Sequence, residues 1–106
     1  MKVLTPGYKY ELENFENPEA FNQTIQFIEK VEQGAFDEEP YLVTINDGTT
    51  NEDLIEVLID RIQFLNKILP SSYNESALNG LKEVLKALNE RTALRAAQGV
   101  EGTNKA

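Results

Sequence analysis

The sequence predicts an α+β fold in which a small N-terminal antiparallel β meander precedes an antiparallel two-helix hairpin. Short runs that alternate apolar with polar residues lie before residue 46, a pattern typical of half-buried strands. After them come two long runs in which apolar residues recur every three or four positions, separated by a proline-containing turn. We assign residues 1–46 to the β-rich part and residues 47–106 to the hairpin, and we expect the two parts to form one domain.

The strands of the predicted meander are short. Residues 8–13 alternate tyrosine and leucine with charged side chains, and residues 41–45 form a short β-branched run. Residues 24–30 are a further candidate, although Ile28 disturbs their alternation, and residues 14–22 read as a loop. We therefore predict two or three strands, which cannot be stable without a partner surface.

The first predicted helix begins after Thr50, whose hydroxyl suits an N-cap, with Asp53 placed as the capping acid. It ends before Pro70, because a proline ring cannot continue a helix. Its apolar face comprises Leu54, Leu58, Ile62, Leu65 and Leu69, widened by Ile55, Ile59 and Phe64.

The second predicted helix has Ser72 or Asn74 as its N-cap and Gly99 as its C-terminal stop, with Val100 beyond. Its apolar face comprises Leu78, Leu81, Leu85 and Leu88. Two helices alone cannot bury apolar stripes this wide. We therefore expect the hairpin to pack on the N-terminal part or on further copies of itself.

Composition excludes several function classes. The chain lacks cysteine and histidine, so zinc or iron sites and histidine-based catalysis are not expected, and we predict neither a metal nor a cofactor. A net charge of −8 disfavours binding to duplex nucleic acid. No apolar run is long enough to span a membrane, and the N-terminal apolar stretch is too short for a signal peptide, so we predict a cytoplasmic protein.

Two clusters of side chains could bind a ligand. Arg91, Thr92 and Arg95 lie near the end of the second helix, where they either complement the helix dipole or grip phosphate oxygens. Phe64 and Asn74 flank the interhelical turn, where an aromatic ring and an amide could stack on a purine and read its edge. An aromatic residue at the helical spacing of Phe64 is more often a core residue. The residues alone indicate a helical hairpin with a possible anion or nucleotide site.

Several segments of the sequence resemble those of a known family. Residues 50–66, the run Asn-Glu-Arg-Thr-Ala-Leu-Arg of residues 89–95, and Gly-Val-Glu-Gly-Thr of residues 99–103 resemble the hairpin of small phage proteins that act as anti-CBASS and anti-Thoeris nucleotide sponges. Residues 8–15 and 26–28 look like the β-rich part of the anti-Thoeris branch. The turn at residues 69–74 departs from the turn of that family.

The resemblance implies a non-enzymatic homo-oligomer, with a hexamer as the expected state. Such a protein would trap cyclic nucleotide messengers, either glycocyclic ADP-ribose or cyclic di- and trinucleotides, in the cytoplasm of the infected bacterial host. By position, Phe64 would stack on a base, Asn74 would hydrogen-bond it and Arg91 would hold phosphate. Arg91 with Thr92 is also where a trinucleotide site would fall.

Other functions fit parts of the same sequence. A non-catalytic adaptor would use the apolar stripe of the hairpin to bind another protein. A phosphodiesterase that degrades the messengers is disfavoured by the lack of histidine and cysteine. A DNA-binding helix-turn-helix is disfavoured by the long interhelical linker and the negative charge.

Overall fold

The computed structural model describes residues 1–98 and divides the chain after Thr50 into two compact units. The β unit, Met1–Thr50, contains five short strands, and the hairpin unit, which begins at Asn51, contains two helices. This order confirms the predicted α+β class. The predicted C-terminal stop at Gly99, with Val100 and the segment to Thr103, lies outside the described residues.

Two antiparallel sheets make up the β unit. The first is a meander of three strands in the order β1 (Lys2–Thr5), β2 (Lys9–Leu12) and β3 (Gln23–Gln26). The second pairs β4 (Glu29–Gln33) with β5 (Tyr41–Asn46). Residues 14–22 form the predicted loop between β2 and β3.

The structure has more strands than the sequence pattern predicts. Strand β1 was not predicted, because four residues without a clear alternation carry little periodic signal; it pairs Val3 with Tyr10. The predicted strand at residues 24–30 is instead two strands, β3 and β4, in different sheets. The break falls at Phe27 and Ile28, whose backbone NH groups donate to Tyr8 O and Thr49 O.

A close backbone approach fixes this break. Thr49 N donates to Gln26 O at 2.8 Å, and Ile28 N donates to Thr49 O at 3.0 Å. Gly48 directly precedes Thr49, and any Cβ atom at Gly48 would collide with the carbonyl of Gln26 and lie 2.6 Å from the carbonyl carbon of Phe27. Only glycine therefore fits this position without moving the backbone.

Helix α1 (Asn51–Ile68) begins directly after Thr50, as predicted, and its acidic first turn and basic Lys67 near its end complement the helix dipole. Helix α2 (Ser72–Ala97) is capped one residue earlier than predicted. Ser71, rather than Ser72 or Asn74, has the extended backbone of a cap, and its Oγ accepts from Tyr73 N at 3.1 Å.

The helices leave much of their apolar surface uncovered. Within residues 1–98, Leu78 is the one buried apolar side chain, at 8% exposure. The large apolar side chains exposed on the hairpin unit are Val57, Leu58, Phe64, Leu65, Ile68, Leu69, Tyr73, Val84 and Leu94. The expectation that one hairpin cannot bury its own stripes agrees with this exposure. Neither described helix is long and apolar enough to cross a membrane.

Candidate functional site

Two asparagine side chains hold the turn between the helices. Asn66 Oδ1 accepts from Ser71 N at 2.9 Å, which fixes the chain as it enters the cap of α2. Asn74 is half-buried, and its Nδ2 donates to Leu69 O at 3.5 Å. That bond is at the long limit for an N–H···O interaction, so the Asn74 amide could exchange it for a ligand at little loss.

Phe64 lies on an exposed face of α1, beside a shallow, open groove whose lining residues all belong to that helix. The Phe64 ring is 59% exposed. The lining residues are Asp53, Glu56, Val57, Asp60, Arg61 and Phe64. Since the ring is not a core residue in this chain, one of its faces is available for stacking on a planar group or for packing against another protein.

The electrostatics of this groove favour some ligand groups over others. Three carboxylates and one guanidinium line it, so its net charge is negative. Ionised carboxylates accept hydrogen bonds only, and they suit hydroxyl or amino groups rather than phosphate oxygens. The groove is therefore suited to the base or sugar of a nucleotide, with Arg61 as its one cation.

The residues predicted to grip phosphate have different surroundings. Arg91 is exposed to solvent, whereas Arg95 is buried at 6% exposure. Thr92 is half-buried, and its Oγ1 donates to Glu52 Oε1 at 2.9 Å, which ties α2 to the first turn of α1. In this conformation Arg91 is the member of the cluster that is open to an incoming anion.

The structure does not bring all five predicted site residues together. Phe64 and Asn74 lie towards the turn, while Arg91, Thr92 and Arg95 lie towards the other end of α2. Asn74 and Arg91 are about 25 Å apart along the axis at the α-helical rise of roughly 1.5 Å per residue. A single nucleotide cannot contact both ends of one hairpin.

Three residues near these clusters were not predicted as part of a site. Arg61 lies one helical turn before Phe64, a spacing that places both on the same face and could have been found from the sequence. Glu52 acts through a contact across the hairpin, which no local pattern shows, and Asn66 acts within the turn, where it accepts from Ser71. Among residues 1–98, no group of acidic side chains is arranged to hold a metal ion.

Fold and site thus define a small α+β protein that presents a helical hairpin with uncovered apolar faces, an aromatic groove and an exposed arginine. No known protein-family model matches the sequence. The chain is 46% identical over 59 residues to Thoeris anti-defense 1 of Bacillus phage SBSphiJ7. That match confirms the resemblance to the anti-Thoeris phage proteins. It covers 55% of this chain and 42% of the relative, so the chain spans about two fifths of that protein's length.

Proposed function

We propose that this protein is a phage anti-defence protein that counters Thoeris immunity by sequestering a cyclic nucleotide messenger without cleaving it. The observation that carries the proposal is the 46% identity to a protein named as a Thoeris anti-defence factor. Glycocyclic ADP-ribose and cyclic di- or trinucleotides are the ligands that the sequence resemblance implies. The protein would act in the cytoplasm of the infected host and bind no duplex nucleic acid.

The geometry supports a binding site built from two copies of the chain. Phe64 and Asn74 lie near the turn, and Arg91 lies about 25 Å from Asn74 along the helix axis, so one messenger cannot contact all three on a single hairpin. If a second hairpin lies antiparallel to the first, its Arg91 comes next to Phe64 and Asn74 of the first. The base or sugar would then occupy the acidic groove beside Phe64, and a phosphate would contact Arg91 of the second copy.

Uncovered apolar surface supports the same assembly. Val57, Phe64 and Ile68 recur at helical spacing along α1, and they are 59%, 59% and 67% exposed. Burying such a stripe against another copy would stabilise a closed oligomer, and we propose the hexamer that the resemblance implies. That residues 1–46 and 47–106 act as one domain also stays a prediction.

Sequestration needs affinity rather than turnover. Nanomolar binding requires roughly 12 kcal/mol, and each tenfold change in Kd corresponds to about 1.4 kcal/mol. Charge-assisted hydrogen bonds contribute about 1.5–3 kcal/mol each and base stacking about 1–3 kcal/mol. A preorganised site with one stacking ring and three such bonds reaches this range at the upper end of these values.

Native mass spectrometry tests the proposal directly. The protein would be measured alone and with glycocyclic ADP-ribose isomers, cyclic dinucleotides and cyclic trinucleotides. We expect an oligomer that retains one of these and releases it chemically intact on denaturation. Release of a cleaved nucleotide would point to an enzyme. An oligomer that retains no ligand at micromolar concentration would contradict the sponge.

Two substitutions locate the site. Arg91→Ala should raise Kd at least tenfold, because it removes a charge-assisted bond, and Phe64→Ala should do the same through lost stacking. Lys86→Ala is the matched control: Lys86 is an exposed cation on the same helix, 4.0 Å from Glu90, and its loss should leave Kd unchanged. If Arg91→Ala and Lys86→Ala weakened affinity equally, overall charge rather than a specific site would drive binding.

The alternative function is a non-catalytic adaptor whose hairpin binds another protein. The observation that favours it is the same exposed stripe of Val57, Phe64 and Ile68 on α1. Under this alternative Arg91→Ala keeps anti-defence activity in infected cells, whereas Ile68→Ser abolishes it. The sponge requires Arg91→Ala to abolish that activity.

A further inference from the structure

The loop between β2 and β3, residues 13–22, presents two aromatic rings to solvent. Phe15 and Phe21 are each fully exposed, at 101%. Exposed single apolar residues are common, but two complete phenyl rings in one short loop are large apolar groups that folding leaves unused. We refer to residues 13–22 as the aromatic loop.

Internal hydrogen bonds hold this loop in shape. Asn14 N donates to Asn22 Oδ1 at 3.1 Å, and Asn14 Nδ2 donates to Phe21 O at 2.8 Å. Asn22 Nδ2 in turn donates to Pro18 O at 3.2 Å. These bonds close the neck of the loop at the two residues that adjoin the rings. The backbone that carries Phe15 and Phe21 is therefore already ordered, and binding the two rings orders little further backbone.

Charge restricts the kind of surface that can cover the rings. The aromatic loop contains Glu13, Glu16 and Glu19 and no lysine or arginine. The β unit as a whole has ten acidic against three basic side chains, a net charge of −7. Nucleic acid, an anionic membrane or the same loop of a second copy would be repelled. A surface with lysine or arginine around an apolar depression would gain both ring burial and cation–π contact.

We propose that the aromatic loop is a docking surface for a basic protein partner, which receives Phe15 and Phe21 in apolar depressions bordered by lysine or arginine. The loop is then a protein-binding element separate from the nucleotide site of the hairpin. It gives the protein a second interaction, one that stands even if the nucleotide proposal fails.

A peptide of defined chemistry tests this surface on the full-length protein. The probe is a fluorescein-labelled amphipathic helix of leucine and lysine, and a second peptide has serine in place of leucine. Fluorescence anisotropy should show that the wild-type protein binds the leucine–lysine peptide at least tenfold more tightly than the serine–lysine peptide. The double variant Phe15→Ser/Phe21→Ser should weaken binding of the first peptide about tenfold, or about 1.4 kcal/mol.

Phe36→Ser is the matched control. Phe36 is also fully exposed, at 108%, and is followed in sequence by three acidic residues, but its loop offers one phenyl ring instead of two. It should leave peptide binding within twofold of wild type. Circular dichroism should be unchanged in all variants, since the substituted rings contact solvent.

Several results would overturn the proposal. Equal binding of the two peptides would show attraction by charge alone. Equal weakening by Phe36→Ser would show that any exposed ring among carboxylates suffices. A change of oligomeric state in Phe15→Ser/Phe21→Ser, measured by native mass spectrometry, would assign the loop to contact with a second copy. None of these results depends on whether the hairpin binds a nucleotide.

Discussion

The β unit and the hairpin unit achieve their shapes by different means. The β unit carries ten acidic against three basic side chains, and its sheets meet at a backbone contact that admits only glycine. The described part of the hairpin unit is nearly neutral, with seven acidic and six basic side chains, and polar side chains fix both its ends. The most acidic surface and the candidate anion site therefore lie in separate units.

This separation has a consequence for ligand binding. A phosphate would be repelled by the β unit, whereas Arg91 on α2 is exposed and lies in a region of balanced charge. The aromatic rings are also divided. Phe15, Phe21 and Phe36 lie in acidic loops of the β unit, and Phe64 lies beside Arg61. We therefore propose nucleotide binding for the hairpin and protein contact for the aromatic loop.

The largest effect should come from Gly48→Ala in the β unit. The added Cβ meets backbone atoms of Gln26 and Phe27, which cannot move away as a flexible side chain can. We expect the free energy of unfolding to fall by about 3 kcal/mol, the upper end of the range for overpacking. This free energy is measured by urea titration at one fixed protein concentration, with tyrosine fluorescence as the signal.

Gly80→Ala is its control in the hairpin unit. A Cβ at Gly80 has nothing within 4 Å, and alanine favours helix over glycine by about 1 kcal/mol. Gly80→Ala should therefore stabilise the protein. If both substitutions changed the free energy of unfolding in the same direction, the close backbone approach at Gly48 would not be the reason for glycine there.

A smaller effect is expected at the cap of α2. Ser71→Ala removes the acceptor for Tyr73 N and should destabilise the hairpin by about 1 kcal/mol. Ser72→Ala, one residue later, should change stability little, because Ser72 is not the capping residue. Thermal unfolding followed at 222 nm compares the two, and a larger loss for Ser72→Ala would reinstate the cap predicted from the sequence.

The smallest effect should come from Thr92→Val at the other end of the hairpin. Valine keeps the shape of threonine but cannot donate to Glu52, so we expect a loss of about 0.5–1 kcal/mol. Glu52→Gln retains an acceptor oxygen and should lose less. The two are compared by urea unfolding. If Thr92→Val left stability unchanged but weakened messenger binding, Thr92 would serve the ligand rather than the helix pair.

The sequence by itself determined the class of fold and the start of the first helix. Apolar periodicity in residues 51–97 is long enough to define two helices, and Pro70 separates them, because both signals are local. Residue types also identified the side chains that are candidates for contacting a ligand. Of these, Arg91 and Phe64 are exposed, as contact with a ligand requires. The sequence near the start of α2 did not identify its N-cap, because Ser71, Ser72 and Asn74 are all residue types that can cap a helix.

Tertiary structure decided what depends on distant residues. The strand predicted at residues 24–30 divides in two because its centre bonds to Thr49, more than twenty positions away in sequence. The hydroxyl of Thr92 is directed to Glu52, which is 40 positions away in sequence, by the packing of one helix on the other. Periodicity reports which face of an element is apolar. Which groups meet across the molecule is set by chain topology, because such contacts form between residues that no local pattern relates.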